Sequence, residues 1–287
     1  MSGFEFQRLR PLRCGLAAAL AAAAAVVGPA FQASAETALK ANYTISISGL
    51  TIGKAEVDSR FTSAGYAAVI KGMTTGISRL ISNARATLLG SGRFSGTGVV
   101  PASYNMETSE RGFETHVRML MRSGTITDLL AIPRLRETRD RIPVTADDTR
   151  NVVDPLGAFL IVTDKPGLPD GKKACDRTIR IFDGWQRFDI GLSYKQTRLV
   201  TGTGDAYDGQ VIACTARYIP VAGHRQDHAA TKYMAENNRL EVWYAPVKEM
   251  PLLVPHRILI GTKFGDLVIT STRFVAGEVQ SKDPLRN

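Results

Sequence analysis

Along most of this chain, apolar and polar residues alternate one for one. In "YTISISG", Tyr43, Ile45 and Ile47 fall on one side and Thr44, Ser46 and Ser48 on the other. A period of two belongs to a strand with one wet and one dry face. The pattern continues through "GKAEVDSRF", "GYAAVIKGM", "ATLLGSGRF", "ASYNMETSE", "GFETHVRMLMRSG" and "TITDLLAIP". Turn-forming residues recur about every ten positions, which is the reading of a meander, sandwich or barrel. A second run of strands is expected over roughly 176–182, 185–200, 210–220, 239–246, 254–262 and 264–275. Two strand-rich halves, 36–133 and 174–280, are thus joined by 134–173, and the fold class is mostly β.

The joining segment reads differently. "RLRETRDRIPVTADDTRN" is charged and has no apolar stripe. In "DPLGAFLIV", Asp154 can cap a helix that starts at Pro155, with Leu156, Phe159 and Leu160 at helical spacing. A second short helix is expected at 75–84, where Ile77, Leu80 and Ile81 share a face. "TDKPGLPDGKK" ends the segment in turns.

The N-terminal 35 residues stand apart. Arg8, Arg10 and Arg13 precede the apolar run "CGLAAALAAAAAVV", Gly28-Pro29 breaks it, and "ASA" supplies small residues before Glu36. That is the layout of a cleaved secretory signal, with the cut between Ala35 and Glu36. Residues 36–287 then form a single β-rich periplasmic domain. The leader carries three arginines and Glu5, so it removes +2 of the formal charge of +9 and leaves +7. Export excludes nucleic acid as a partner. It points instead to lipid, whose headgroups are often anionic, or to another envelope component.

Cys14 leaves with the leader, so Cys175 and Cys214 remain. Two cysteines in an oxidising compartment predict one disulfide, the alternative being two separate buried thiols. In a plain three-strand meander, Cys175 and Cys214 would lie about 10 Å apart, too far to bridge. The bond therefore requires Cys175 to leave the ladder or the sheet to curl there.

Motifs for common chemistries are missing. There is no G-x-S-x-G elbow. "GLTIGKA" is one spacer short of a phosphate loop, and "GSGRFSG" misses the dinucleotide spacing. His224 and His228, with Asp227 between them, have i,i+4 spacing that could hold a metal on a helix. A glycine-led loop is the expected context, and no metal or cofactor is assigned. These features describe a non-enzymatic binder. The alternatives are a structural or partner-binding scaffold, or a hydrolase with an unrecognised site.

One hairpin is singled out. In "CDRTIRIFDGWQRFDIGL", Asp183-Gly184 has the composition of a two-residue hairpin turn. That turn would set Phe182 opposite Trp185, and Arg180 opposite Arg187. Ile179, Ile181, Phe188, Ile190 and Leu192 then share a core face. The other face offers Arg180, Trp185 and Arg187 as candidate anion-binding residues, against a plain solvated face.

Taken in order, "SGLTIGKAEV", "DPLGAFL", "IFDGWQRFDI", "LEVWYAP", "PLLVPHRILIG" and "GDLVIT" resemble the bacterial exported proteins grouped as domain of unknown function 3108. The resemblance covers most of the chain beyond the leader. It implies an exported antiparallel open barrel or curled sheet with one or two short helices, similar to periplasmic lipoprotein carriers or to spiral β proteins of the envelope. It supplies no catalytic residues. The "CTARYIPVAGH" segment and the pairing of Cys214 with Cys175 look like a subgroup feature.

Overall fold

The computed structural model describes residues 36–80 and 82–278. The expected leader, residues 1–35, with Ala35 of the expected cleavage site, lies outside the described residues. The first strands are β1 (Thr37–Ile47), β2 (Leu50–Phe61), β3 (Gly65–Thr74), β4 (Arg85–Ser95), β5 (Gly98–Glu110), β6 (Phe113–Arg122) and β7 (Thr125–Ile132). The joining segment contributes a two-residue strand, β8 (Ile161–Val162), and the helix α1 (Gly171–Cys175). Then come β9 (Arg177–Phe182), β10 (Arg187–Val200), β11 (Gly209–Ala222), α2 (Ala229–Glu236), β12 (Leu240–Pro246), β13 (Leu252–Thr262) and β14 (Gly265–Glu278). No described helix is long and apolar enough to cross a membrane.

Each half is a meander of neighbouring antiparallel strands, and one long-range ladder joins them. The order is β7-β6-β5-β4-β3-β2-β1-β14-β13-β12-β11-β10-β9, with β8 on the side of β13. The first and last of the described strands are therefore neighbours in the centre, with Thr37 opposite Glu278 and Ile47 opposite Leu267. Register shifts at Asn42/Tyr43, Ser91/Gly92, Leu120/Met121, Tyr194/Gln196 and Trp243/Tyr244 bend the sheet.

The sheet curls until its ends face each other, and no ladder joins β7 to β9 among the described residues. Residues 152 and 153 span this seam. Val152 N–H donates to Gly124 O (3.0 Å), just before β7. Val153 pairs in parallel with Ile181 of β9: its N–H donates to Arg180 O (2.8 Å), and its carbonyl accepts from Phe182 N–H (3.1 Å). The result is the curled, open sheet that the family resemblance implies.

The core follows this layout. Tyr104, Val117, Met119 and Met121 of β5 and β6 pack with Val152, Leu156 and Phe182 across the seam. Leu39, Phe61 and Tyr66 pack with Val162, Met250, Leu252 and Val254 at one end. Ile161, Leu192, Ile212, Tyr244 and Leu253 surround the disulfide. Cys175 and Cys214 are bonded, with Cα atoms 5.6 Å apart. Cys175 sits in α1, outside the ladder, which is the first of the two arrangements that strand spacing allows.

Three local expectations differ from the structure. The helix expected after Asp154 is a single 3-10 turn, Gly157–Phe159, because the chain extends at Leu160 to pair β8 with β13. The segment 75–84 forms a 3-10 helix over Gly76–Leu80, and the side chains of Ile77, Leu80 and Ile81 lie outside those described. The third difference is the hairpin turn, which holds four residues rather than two. The Asp183 carboxylate accepts from the N–H groups of Trp185 (2.8 Å) and Gln186 (2.6 Å), and Asp183 N–H donates to Gln186 O (3.1 Å). This widens the turn and moves the register by two, so Arg187 faces Phe182 and Arg180 faces Asp189. A shift of two preserves the faces: Ile181 now opposes Phe188, and both stay on the inward side.

Candidate ligand-binding face

The joining segment enters the curled sheet as an internal plug, fixed by a buried carboxylate. Asp154 has no exposed surface. Its Oδ1 accepts from the N–H groups of Leu156 (2.8 Å) and Gly157 (3.1 Å), and its Oδ2 accepts from the Tyr66 hydroxyl (3.4 Å). These bonds satisfy the start of the 3-10 turn. Burial pushes the Asp154 carboxyl up to about 6, against the pull of the Gly157 and Leu156 amides. Burial, and then the charge of Asp154, hold the Tyr66 and Tyr104 hydroxyls above their ordinary value. Leu156 presses on Gly90 of β4 so closely that an added Cβ there would lie 2.8 Å from Leu156 Cδ1.

At the tip of the plug, Phe159 stands between two apolar cavities. The first, about 210 Å3, lies against β1–β3 and β13–β14, with Tyr43, Val57, Ala68, Ile258 and Ile269 in its wall. The second, about 220 Å3, lies against β9–β13, with Ile179, Ile190, Ala216, Val242 and Ile258 in its wall and Met234 of α2 at its edge. Phe159 and Ile258 belong to both. Phe159 is 37% exposed, so its ring reaches the rim.

Polar groups on these walls are largely occupied. Tyr43 hydroxyl donates to Pro255 O (2.6 Å), and Glu241 holds Lys195 (2.6 Å) and the Trp243 indole N–H (2.9 Å). Space with such a lining takes an apolar guest or stays dry. A larger groove, about 820 Å3, has a mixed lining, with Lys40, Glu56, Asp58, Arg60 and Lys71 beside Val69 and Leu89. Arg60 and Arg273, also in its wall, are engaged by Glu36 (3.3 Å) and Asp205 (3.1 Å). The apolar pair has the better-built walls.

The residues singled out from the sequence do not gather into one patch. Arg187 is buried, and its Nη2 pairs with Asp189 (2.7 Å), while its Nε and Nη1 have no protein partner. Arg180 is exposed on β9. Trp185 donates its indole N–H to Pro133 O (2.9 Å), so it anchors the hairpin. His224 is buried with Nδ1 unpartnered, Asp227 pairs with Lys232 (3.0 Å), and His228 is exposed just before α2. Among the described residues, no group of three His, Cys, Asp or Glu side chains is placed to hold a metal.

A pair not picked out from the sequence is His256 and Ser271, both buried and joined by a 2.7 Å bond between Nδ1 and Oγ. Burial, and then Arg257, hold the imidazole below its ordinary value. No carboxylate among the described residues bonds this histidine, so the pair lacks the orienting third member of a nucleophilic triad. Phe159 was read only as part of a helix stripe. Its place between two cavities depends on strands from both halves of the chain.

The family model described as "Protein of unknown function (DUF3108)" matches residues 42–272. No curated protein matches the chain. Among solved structures, the chain is similar to a β-barrel-like protein of domain of unknown function DUF1849 from Brucella abortus. The two share 9% identity over 86% of this chain and 98% of that chain, with a TM-score of 0.42.

Proposed function

The chain belongs to the DUF3108 family, and on that premise we propose that it is an exported envelope protein that binds the apolar chains of a lipid inside its curled sheet. The observation that carries this reading is the pair of adjoining apolar cavities at Phe159. Each alone is smaller than the ~300–1,000 Å3 of common ligand sites, and together they fall inside that range. The leader at residues 1–35 and the basic balance support export and work beside anionic membranes.

Native mass spectrometry of protein purified from the periplasm tests the reading. Co-purified lipid is expected, and less of it in Ala68→Leu and Ala216→Leu, which narrow the two cavities. Repeated isolation without lipid, together with no uptake from vesicles, would reject it. N-terminal sequencing of the secreted form is expected to begin at Glu36.

A second reading, a partner-binding scaffold, draws on β7. This edge strand exposes Leu129, Leu130 and Ile132, and an exposed apolar edge is a template for strand addition. Lysine at Leu130 would weaken such pairing and leave lipid uptake unchanged.

A further inference from the structure

Resting on the lipid reading, we infer that the ligand carries two apolar chains, which sit on either side of Phe159. The two cavities are close to equal in volume, about 210 and 220 Å3. Most of their walls differ, β1–β3 with β14 for one and β9–β12 for the other, and they meet at Phe159 and at Ile258 of β13, which line both. Phe159 is held from within. Asp154 fixes the start of the turn, Leu160 N–H closes it on Gly157 O (3.1 Å), and β8 ties the following residues to β13.

At about 30 Å3 for each water-sized unit, either cavity takes roughly seven such units, which is the end of one chain. A methylene group is of similar size. A single long chain would have to bend round the Phe159 ring to fill both. Two chains leaving one headgroup straddle the ring instead, and meet where it is exposed.

This arrangement counts chains and does not read headgroups. The charged residue on the walls, Glu241, is already paired with Lys195. When the first chain enters, the second is tethered beside its own cavity, so its binding becomes intramolecular. That raises affinity by an effective concentration, on the order of a hundredfold.

The test compares dioctanoyl-phosphatidylcholine, dioctanoyl-phosphatidylglycerol and monooctanoyl-lysophosphatidylcholine on the mature protein, by native mass spectrometry and calorimetry. One dioctanoyl molecule is expected per protein, with similar affinity for both headgroups. Two single-chain molecules are expected per protein, each bound on the order of a hundredfold more weakly. Phe159→Ala joins the compartments, so palmitoyl-lysophosphatidylcholine is expected to bind it more tightly than the parent. One single-chain molecule per protein with the affinity of the dioctanoyl lipid would overturn the two-chain inference and leave the lipid reading standing. Failure of every lipid to bind would overturn the lipid reading itself.

Discussion

The indole N–H of Trp185 reaches across the open seam to the carbonyl of Pro133, 2.9 Å away. It fastens the tip of the β9–β10 hairpin to the far end of β7. Trp185→Phe keeps most of the ring and removes this bond. A loss of about 1 kcal/mol is expected, with faster amide exchange at Val152 and Val153, whose N–H groups span the same seam. Unchanged exchange at those two amides would show that the seam is held elsewhere.

Gly184, in the same turn, has φ +107°, and a Cβ there would lie 2.6 Å from Cγ1 of Val117 on β6. Gly184→Ala is expected to cost about 1–3 kcal/mol through backbone strain and overlap. Adding Val117→Ala removes only the overlap. Urea unfolding of the two single variants and the double variant should reveal a favourable coupling between the sites, and strict additivity would count against the contact.

The disulfide closes a 39-residue separation between two sulfurs that are fully buried. Replacing Cys175 and Cys214 together by alanine is expected to lower stability by about 3–4 kcal/mol. Because both sulfurs are inaccessible, added thiol reductant should cut the bond at the rate of unfolding. Rapid reduction in the native state would contradict that burial.

Asp154 makes stability fall as pH rises. Its carboxyl, ordinarily near 3.8, is pushed up to about 6 by burial. Between pH 4 and pH 6, the folded protein holds a proton that the unfolded chain has released. The stabilisation is complete below about pH 4 and lost above pH 6, a change on the order of 3 kcal/mol. Asp154→Asn keeps an acceptor for Leu156 and Gly157 without the titration. The difference between parent and variant should therefore follow this window, because His256 and Asp183 titrate alike in both. A difference that does not vary with pH would place the proton elsewhere.

The alternation of Tyr43, Ile45 and Ile47 was readable because a half-buried strand writes its two faces into neighbouring residues. The place of β1 beside β14 was not, since nothing near Thr37 encodes a partner at Glu278. Asp183-Gly184 announced a turn but not its size, which the Asp183 carboxylate sets by drawing in two amides. Strand spacing required that Cys175 leave the ladder or that the sheet curl there, and Cys175 lies in α1. The cavities at Phe159 were hidden, because empty space is made by side chains from distant strands that fail to meet.

The pairing of the first strand with the last has a consequence for biosynthesis. A chain made from its N-terminus can form β1 to β7 hairpin by hairpin, yet β1 waits with one side unpaired until residues 265–278 emerge. A product that stops before Gly265 leaves β1 and β13 each with one side unpaired in the middle of the sheet. Such bare central strands are templates for aggregation. Closure of the sheet's centre thus depends on the fourteen residues of β14, the part of the sheet made after its neighbours.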